Sequence, residues 1–179
     1  MRTPVSGEVF VHYGQLYVES DAEAYGDLQE AFAGQQVGLC GGAEPGFLFL
    51  LTGLHTGSVG FSAEIYDRLD GPPPVDLSWE EVVEVPFRPL TERTVVSQWA
   101  GERVWDLDLT VDDYRVRYSG TGMQAGQDHD TRCTGEPSLD RYLLQFWPSA
   151  PHPAELVKQT SAIAAYWHTY ARELPPPTG

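Results

Sequence analysis

The chain has 179 residues, of which 41% are hydrophobic and 12% aromatic, and a formal net charge of −15 from 26 acids against 11 bases. This length suits one domain around one core, and the apolar fraction lies far above that of acidic chains that stay unfolded, so a single domain over residues 1–174 with a disordered tail at 175–179 is predicted. The charge disfavours nucleic acid and anionic lipid and favours basic proteins or cations. Neither an export-signal pattern nor an apolar run near ~20 residues is present, so the expectation is a cytoplasmic chain with no membrane span.

Taken in chain order, residues 8–19 (EVFVHYGQLYVE) are rich in β-branched and aromatic side chains and read as strand, and residues 21–33 read as a short helix weakened by Gly26. Residues 47–51 (FLFLL) are apolar on both faces, the pattern of a central strand covered on two sides. After the turn GLHTG, Val59, Phe61, Ala63 and Ile65 alternate with polar positions, a half-buried strand. Asp70-Gly-Pro-Pro-Pro is a stiff connection, because proline lacks the backbone donor that a sheet interior needs. Residues 79–87 then form a strand with Val83, Val85 and Phe87 toward the core. Glu81 falls on that same side, against the pattern.

Residues 95–99 are a short strand, and 104–118 (VWDLDLTVDDYRVRY) read as a hairpin around a four-residue loop, Thr110 to Asp113. That register sets Leu109 opposite Tyr114, Asp108 opposite Arg115 and Asp106 opposite Arg117, with apolar residues on one face and opposed charges on the other. Residues 119–138 read as a long glycine-rich polar loop carrying Asp128-His129-Asp130, and 140–147 (DRYLLQFW) as a last strand. Leu156, Thr160, Ile163, Ala164, Trp167 and Ala171 recur at helical spacing, giving an amphipathic helix over 154–172 that ends before Pro175. Short strands with hairpin-sized connections and two helical pieces predict a mainly β fold, an antiparallel β-sandwich with a short N-terminal and a C-terminal amphipathic helix.

The chemistry-bearing motifs are sparse. There is no GxSxG elbow, phosphate-cradling GxxxxGK[ST], GxGxxG, HExxH or EF-hand loop, and no cofactor is implied. Cys40 and Cys133 stand apart without zinc-type spacing and read as reduced thiols. Asp128, His129 and Asp130 read as a solvated loop rather than a metal site, since adjacent side chains rarely converge on one centre. His55 reads as a turn residue, although a histidine with a carboxylate partner in a cleft would form a hydrolytic site. The rings of Tyr13, Tyr17, Trp79, Trp99, Trp105, Trp147 and Trp167 read chiefly as core; together with the 119–138 loop they offer the alternative of a carbohydrate- or small-ligand-binding module.

Charge is most lopsided between residues 64 and 84, where Glu64, Asp67, Asp70, Asp76, Glu80, Glu81 and Glu84 face one base, Arg68. Glu64, Asp67, Asp70, Asp76, Trp79, Glu80 and Glu84 are therefore the candidate contact surface, the acids attracting and Trp79 anchoring. The order of segments, a Tyr-Gly-Gln strand, FLFLL, VVEVPF, WDLDLTVDDYRVRY and DRYLLQFW, resembles the competence protein J family, inhibitors of a nuclease of DNA uptake, over residues 8–148. The resemblance implies a non-enzymatic β-sandwich that blocks a basic partner, a nuclease, by occupying its cationic cleft without binding nucleic acid itself. The proline-rich insert at 71–74 and the 154–172 helix depart from that family's core, and no motif transfers inhibitory residues one by one.

Overall fold

The computed structural model describes residues 1–21, 26–67 and 72–176, whose strands form two sheets with a shared apolar core. The larger sheet has β1 (Arg2–Val11), β5 (Gly57–Ile65), β6 (Glu81–Phe87), β9 (Tyr114–Thr121), β10 (Arg141–Pro148) and β11 (Glu155–Lys158), in the order β1-β5-β10-β9-β6-β11. The smaller has β2 (Gln15–Glu19), β3 (Cys40–Gly41), β4 (Phe47–Leu51), β7 (Val95–Gln98) and β8 (Val104–Asp106), in the order β3-β4-β2-β7-β8. Among the described residues the strand pairings are antiparallel except β5 with β10. The fold is mainly β, as the sequence predicts. Among the described residues three α-helices, α1 (Leu28–Phe32), α2 (Met123–His129) and α3 (Ala162–Glu173), accompany the sheets. Among the described residues no helix is long and apolar enough to cross a membrane.

Side-chain period explains the core. On β5 every second residue is buried, so Val59, Phe61, Ala63 and Ile65 point inward. β4 is buried throughout: Leu48 and Leu50 share the inner face with Val18 and Leu16 of β2, while Phe47, Phe49 and Leu51 share the outer face with Glu19, Tyr17 and Gln15. Phe32 of α1 covers part of that outer face, 6.1 Å from Phe49 between ring centroids. Cys40 is buried and Cys133 exposed, both are free thiols, and burial pushes the Cys40 thiol well above its ordinary value.

Four expectations are corrected. The 104–118 hairpin does not form: β8 pairs with β7 in the smaller sheet, and the chain then crosses to β9 in the larger one. Leu107 and Leu109 drop into the core on the way, with Asp108 between them at φ 49°. Arg117 therefore opposes Glu84, and Arg115 opposes Pro86, instead of Asp106 and Asp108. The 119–138 segment is not a loop throughout, since β9 runs to Thr121 and α2 follows Gly122 at φ 72°. The C-terminal helix starts later than predicted, because residues 155–158 pair with β6 as an edge strand and Ser161 caps α3. The first helix is only five residues long, closed by an Asp27–Glu30 capping box; residues 22–25 lie outside the described residues, as do 177–179 of the predicted tail.

Glu81, the residue out of pattern, is fully buried and has a reason to be there. Its carboxylate accepts the Ser161 N–H at 2.7 Å, the Thr160 N–H at 3.1 Å and the Thr160 hydroxyl at 3.0 Å, satisfying the entrance to α3. α2 is seated just as closely. A Cβ at Gly53 would stand 2.0 Å from the Met123 carbonyl oxygen, with backbone on both sides of the clash. Gly53→Ala is expected to cost about 3 kcal/mol or more in urea unfolding, the upper range for overpacking, because neither wall is a flexible side chain.

Candidate functional site

The predicted contact surface divides when its residues are placed. Glu64 points outward from β5, accepting from Gln145 Nε2 at 2.8 Å and from the Tyr66 hydroxyl at 3.0 Å. Trp79 lies on the same outer face, with the Arg141 guanidinium 4.9 Å from its ring centroid. Asp76 is exposed and receives the Ser78 N–H at 2.9 Å; the Ser78 backbone and hydroxyl hold its carboxyl below the usual value. Glu80 accepts the Gly122 N–H at 2.8 Å. Asp67, exposed beyond the end of β5, meets Arg2 at 3.2 Å. Asp70 lies outside the described residues.

Glu84 is not at the surface. It is buried between two buried arginines, accepting from Arg115 Nε at 3.1 Å and Arg117 Nε at 2.8 Å. Each arginine then clasps a proline-rich segment from the other side: Arg117 donates to the carbonyls of Pro73 and Pro74, Arg115 to those of His152 and Pro153. The insert at 72–74 is thus fastened to the outer face of the larger sheet by the charge that the hairpin register had assigned to Asp106. With the arginines engaged inside, Asp106 and Asp108 are exposed, and Asp108 shares Arg2 with Asp67, at 3.9 Å. Among the described residues Asp106 has no ion pair. The acidic surface therefore includes Asp106 and Asp108 and excludes Glu84.

A second feature was missed in the sequence: an open groove of about 590 Å³ on the outer face of the smaller sheet. Its floor is the outward cross-strand pairs Gln15–Leu51 and Tyr17–Phe49, and its walls include Tyr13, Trp99, Asp27 and Trp167. Tyr17 and Phe49 meet edge to face at 5.3 Å, and the Tyr13 ring lies 5.4 Å from Trp99 and 5.5 Å from His55. Tyr13 is 57% and Trp99 37% exposed, so neither is a core residue. Costly backbone accompanies both: Tyr13 itself has φ 58° ahead of Gly14 at 64°, and Ala100, the residue after Trp99, has φ 56°. The Tyr13-Gly14 turn is held by Gly14 N–H to the His55 carbonyl and Thr52 N–H to the Gly14 carbonyl, both 2.8 Å. A readable signal existed, since a bulky residue before glycine occupies a turn slot that favours Asn or Asp.

The residues weighed for other chemistry are dispersed. His55 bonds the Thr56 hydroxyl at 3.0 Å, and among the described residues it has no carboxylate partner. Asp128 accepts from Gln124, and His129 faces Glu136 at 3.3 Å. Among the described residues no group of three or more His, Cys, Asp or Glu side chains is placed to hold a metal ion. Asp140 is buried, accepting from Leu54 N–H at 3.0 Å and the Tyr142 hydroxyl at 2.7 Å, and burial raises its carboxyl above the ordinary value.

The fold has solved counterparts. It is similar to ComJ of Bacillus subtilis, an inhibitor of the DNA-degrading activity of NucA, with a TM-score of 0.54 and 16% identity over 83% of this chain and 98% of ComJ. It is also similar to the product of crocagin biosynthetic gene J, with a TM-score of 0.50 and 12% identity over 84% of this chain and 100% of that one. At these identities the likeness establishes a shared fold, and at that level it bears out the resemblance seen in the sequence. No family model and no curated protein sequence matches the chain.

Proposed function

We propose that the chain is a non-enzymatic, acidic protein-binding module of the inhibitor or immunity type, which engages a basic protein, a nuclease being the partner class that the likeness to ComJ supports. The observation that carries the reading is that almost the whole of ComJ superposes on a chain with a net charge of −15. A nuclease cleft is cationic because it holds phosphates, and an acidic protein can occupy it by supplying charge of the same sign as the displaced substrate. The contact surface consists of Asp67 and Asp108 around Arg2 and the exposed Asp106 two residues before Asp108, together with Glu64, Asp76, Trp79 and Glu80 and with Asp70 near them in sequence.

Exposed charges of this kind act on encounter rate and salt dependence more than on packing. The test uses immobilised protein and a lysate of the cells that express it, loaded at low salt and eluted at high salt, with the eluate assayed for DNA degradation with and without added chain. A basic nuclease that the chain inhibits is the expected result. Asp67→Asn, Asp106→Asn and Asp108→Asn combined should weaken capture about tenfold and flatten its salt dependence, and asparagine tolerates the left-handed backbone at 108. An eluate without nuclease activity, or equal capture by the triple variant at every salt concentration, would overturn the proposal.

A further inference from the structure

Five tryptophans are distributed unequally with respect to cations. Arg141 covers Trp79, Arg103 covers Trp105 and Arg117 covers Trp147, with guanidinium-to-ring distances of 4.9, 4.8 and 5.0 Å. Trp99 and Trp167, the two that line the groove, have no arginine or lysine over their rings among the described residues. No arginine or lysine lines the groove itself, or its extension past Tyr17 and Trp99, among those residues, whereas Asp27 lines the first and Glu19 the second. With His55 as the basic side chain of the lining and no arginine or lysine among the described residues, the aromatic faces and the Asp27 and Glu19 carboxylates favour a cationic guest.

We infer that this groove receives arginine or lysine side chains from an extended segment of the basic partner. The inference rests on the basic-partner reading and moves the anchoring contacts from the larger sheet to the outer face of the smaller one. The volume, about 590 Å³ with a further 380 Å³ in the extension, exceeds one guanidinium and suits a short stretch of chain. Packing alone does not account for the ring placement. Tyr13 and the residue after Trp99 adopt left-handed backbone, and the two rings remain substantially exposed. Backbone strain that displays rings toward solvent is the arrangement of a preformed recognition surface. Cation binding over rings beside a carboxylate gives a graded attraction that grows as water leaves, which suits an anchor at the centre of an interface.

The strained turn also supplies a discriminating variant. Tyr13→Asn places in the left-handed slot a residue that favours it, so the protein should unfold at an equal or higher urea concentration while losing one wall of the groove. The probe is an acetylated peptide of alternating glycine and arginine, its citrulline counterpart, and a chito-oligosaccharide, each titrated while NMR follows the indole N–H signals of Trp99 and Trp167. The arginine peptide should shift both indoles saturably, the citrulline peptide should not, and Tyr13→Asn and Trp99→Ala should each weaken binding about tenfold. Silent indoles with shifts at Asp67, Asp106 and Asp108, unchanged binding by Tyr13→Asn, or indole shifts with the oligosaccharide alone would each overturn the inference. Lysate capture separates the two proposals: loss only with the triple aspartate variant sinks the groove, and loss only with the groove variants sinks the aspartate surface.

Discussion

Glu84→Gln is expected to destabilise the protein by about 3–5 kcal/mol in urea or thermal unfolding, the range for removing one partner of a buried ion pair. Glu84 uses one oxygen for Arg115 Nε and the other for Arg117 Nε, and both guanidinium groups are almost wholly withdrawn from solvent. Glutamine keeps the shape but removes the buried charge bonded to both arginines, leaving Arg117 without a carboxylate among the described residues and Arg115 with only the exposed Glu155, at 3.8 Å. At about 2–4 °C per kcal/mol for a chain of this length, the melting temperature should fall by about 6–20 °C. Replacing all three residues by leucine should recover much of the loss, since a well-packed apolar triad avoids the desolvation cost entirely. It would not recover the bonds to the carbonyls of Pro73, Pro74, His152 and Pro153. The triple variant should therefore melt near the parent temperature yet be cut faster by protease at 72–79 and 150–154. A Glu84→Gln variant with unchanged stability would mean that the arginines are solvated and the cluster is peripheral.

The same cluster shows where sequence reasoning held and where it failed. Strands with a one-sided period, such as β5, and the two-sided run of β4 were legible because burial writes itself directly into residue type. The hairpin failed for a reason inherent in that signal. Alternation states which residues face the core but not which of two sheets facing the same core a strand joins, so β8 could leave for the smaller sheet with its pattern intact. One wrong register then assigned Arg115 and Arg117 to the wrong acids, placing Glu84 outside and Asp106 and Asp108 in ion pairs. Glu81, by contrast, was visible as an anomaly, and the structure supplies the missing partner nearly eighty residues away at the start of α3. The α2 segment was hidden by Gly122 and Gly126, glycines selected by a left-handed cap and by the approach of Asp140 rather than by a loop. The groove could not be read from FLFLL, because a strand apolar on both faces does not reveal whether its outer cover fits closely or leaves space.

Acid should loosen the junction between α3 and the 37–39 segment through a single imidazole. His168 is 1% exposed, and its Nδ1 accepts the Gly38 N–H at 2.8 Å, which fixes the proton of the neutral ring on Nε2. Helix and segment approach so closely here that a Cβ at Gly38 would stand 2.4 Å from the Trp167 carbonyl oxygen, so the ring cannot turn away without moving backbone. Protonating Nδ1 would set two donors against each other and place a cation in a buried site near Arg172. Burial first, and the Arg172 charge second, lower the His168 pKa from 6.5 to about 4. The unfolded chain therefore binds this proton between pH 6.5 and about 4 while the folded chain does not, so stability rises with pH across that window and is lost as pH falls. The full effect is about 3 kcal/mol, at 1.36 kcal/mol per pH unit. Asp140, raised by burial, has the opposite sign and loses stability as pH rises, so the His168 contribution is isolated by difference. His168→Asn keeps an acceptor for Gly38 and cannot titrate. Urea midpoints of the two proteins should converge as pH falls from 7 to 4, because only the parent protein loses the His168 contribution. Parallel curves would show that the ring is protonated equally in the folded and unfolded chains, and the junction would then owe its acid sensitivity to the carboxylates alone.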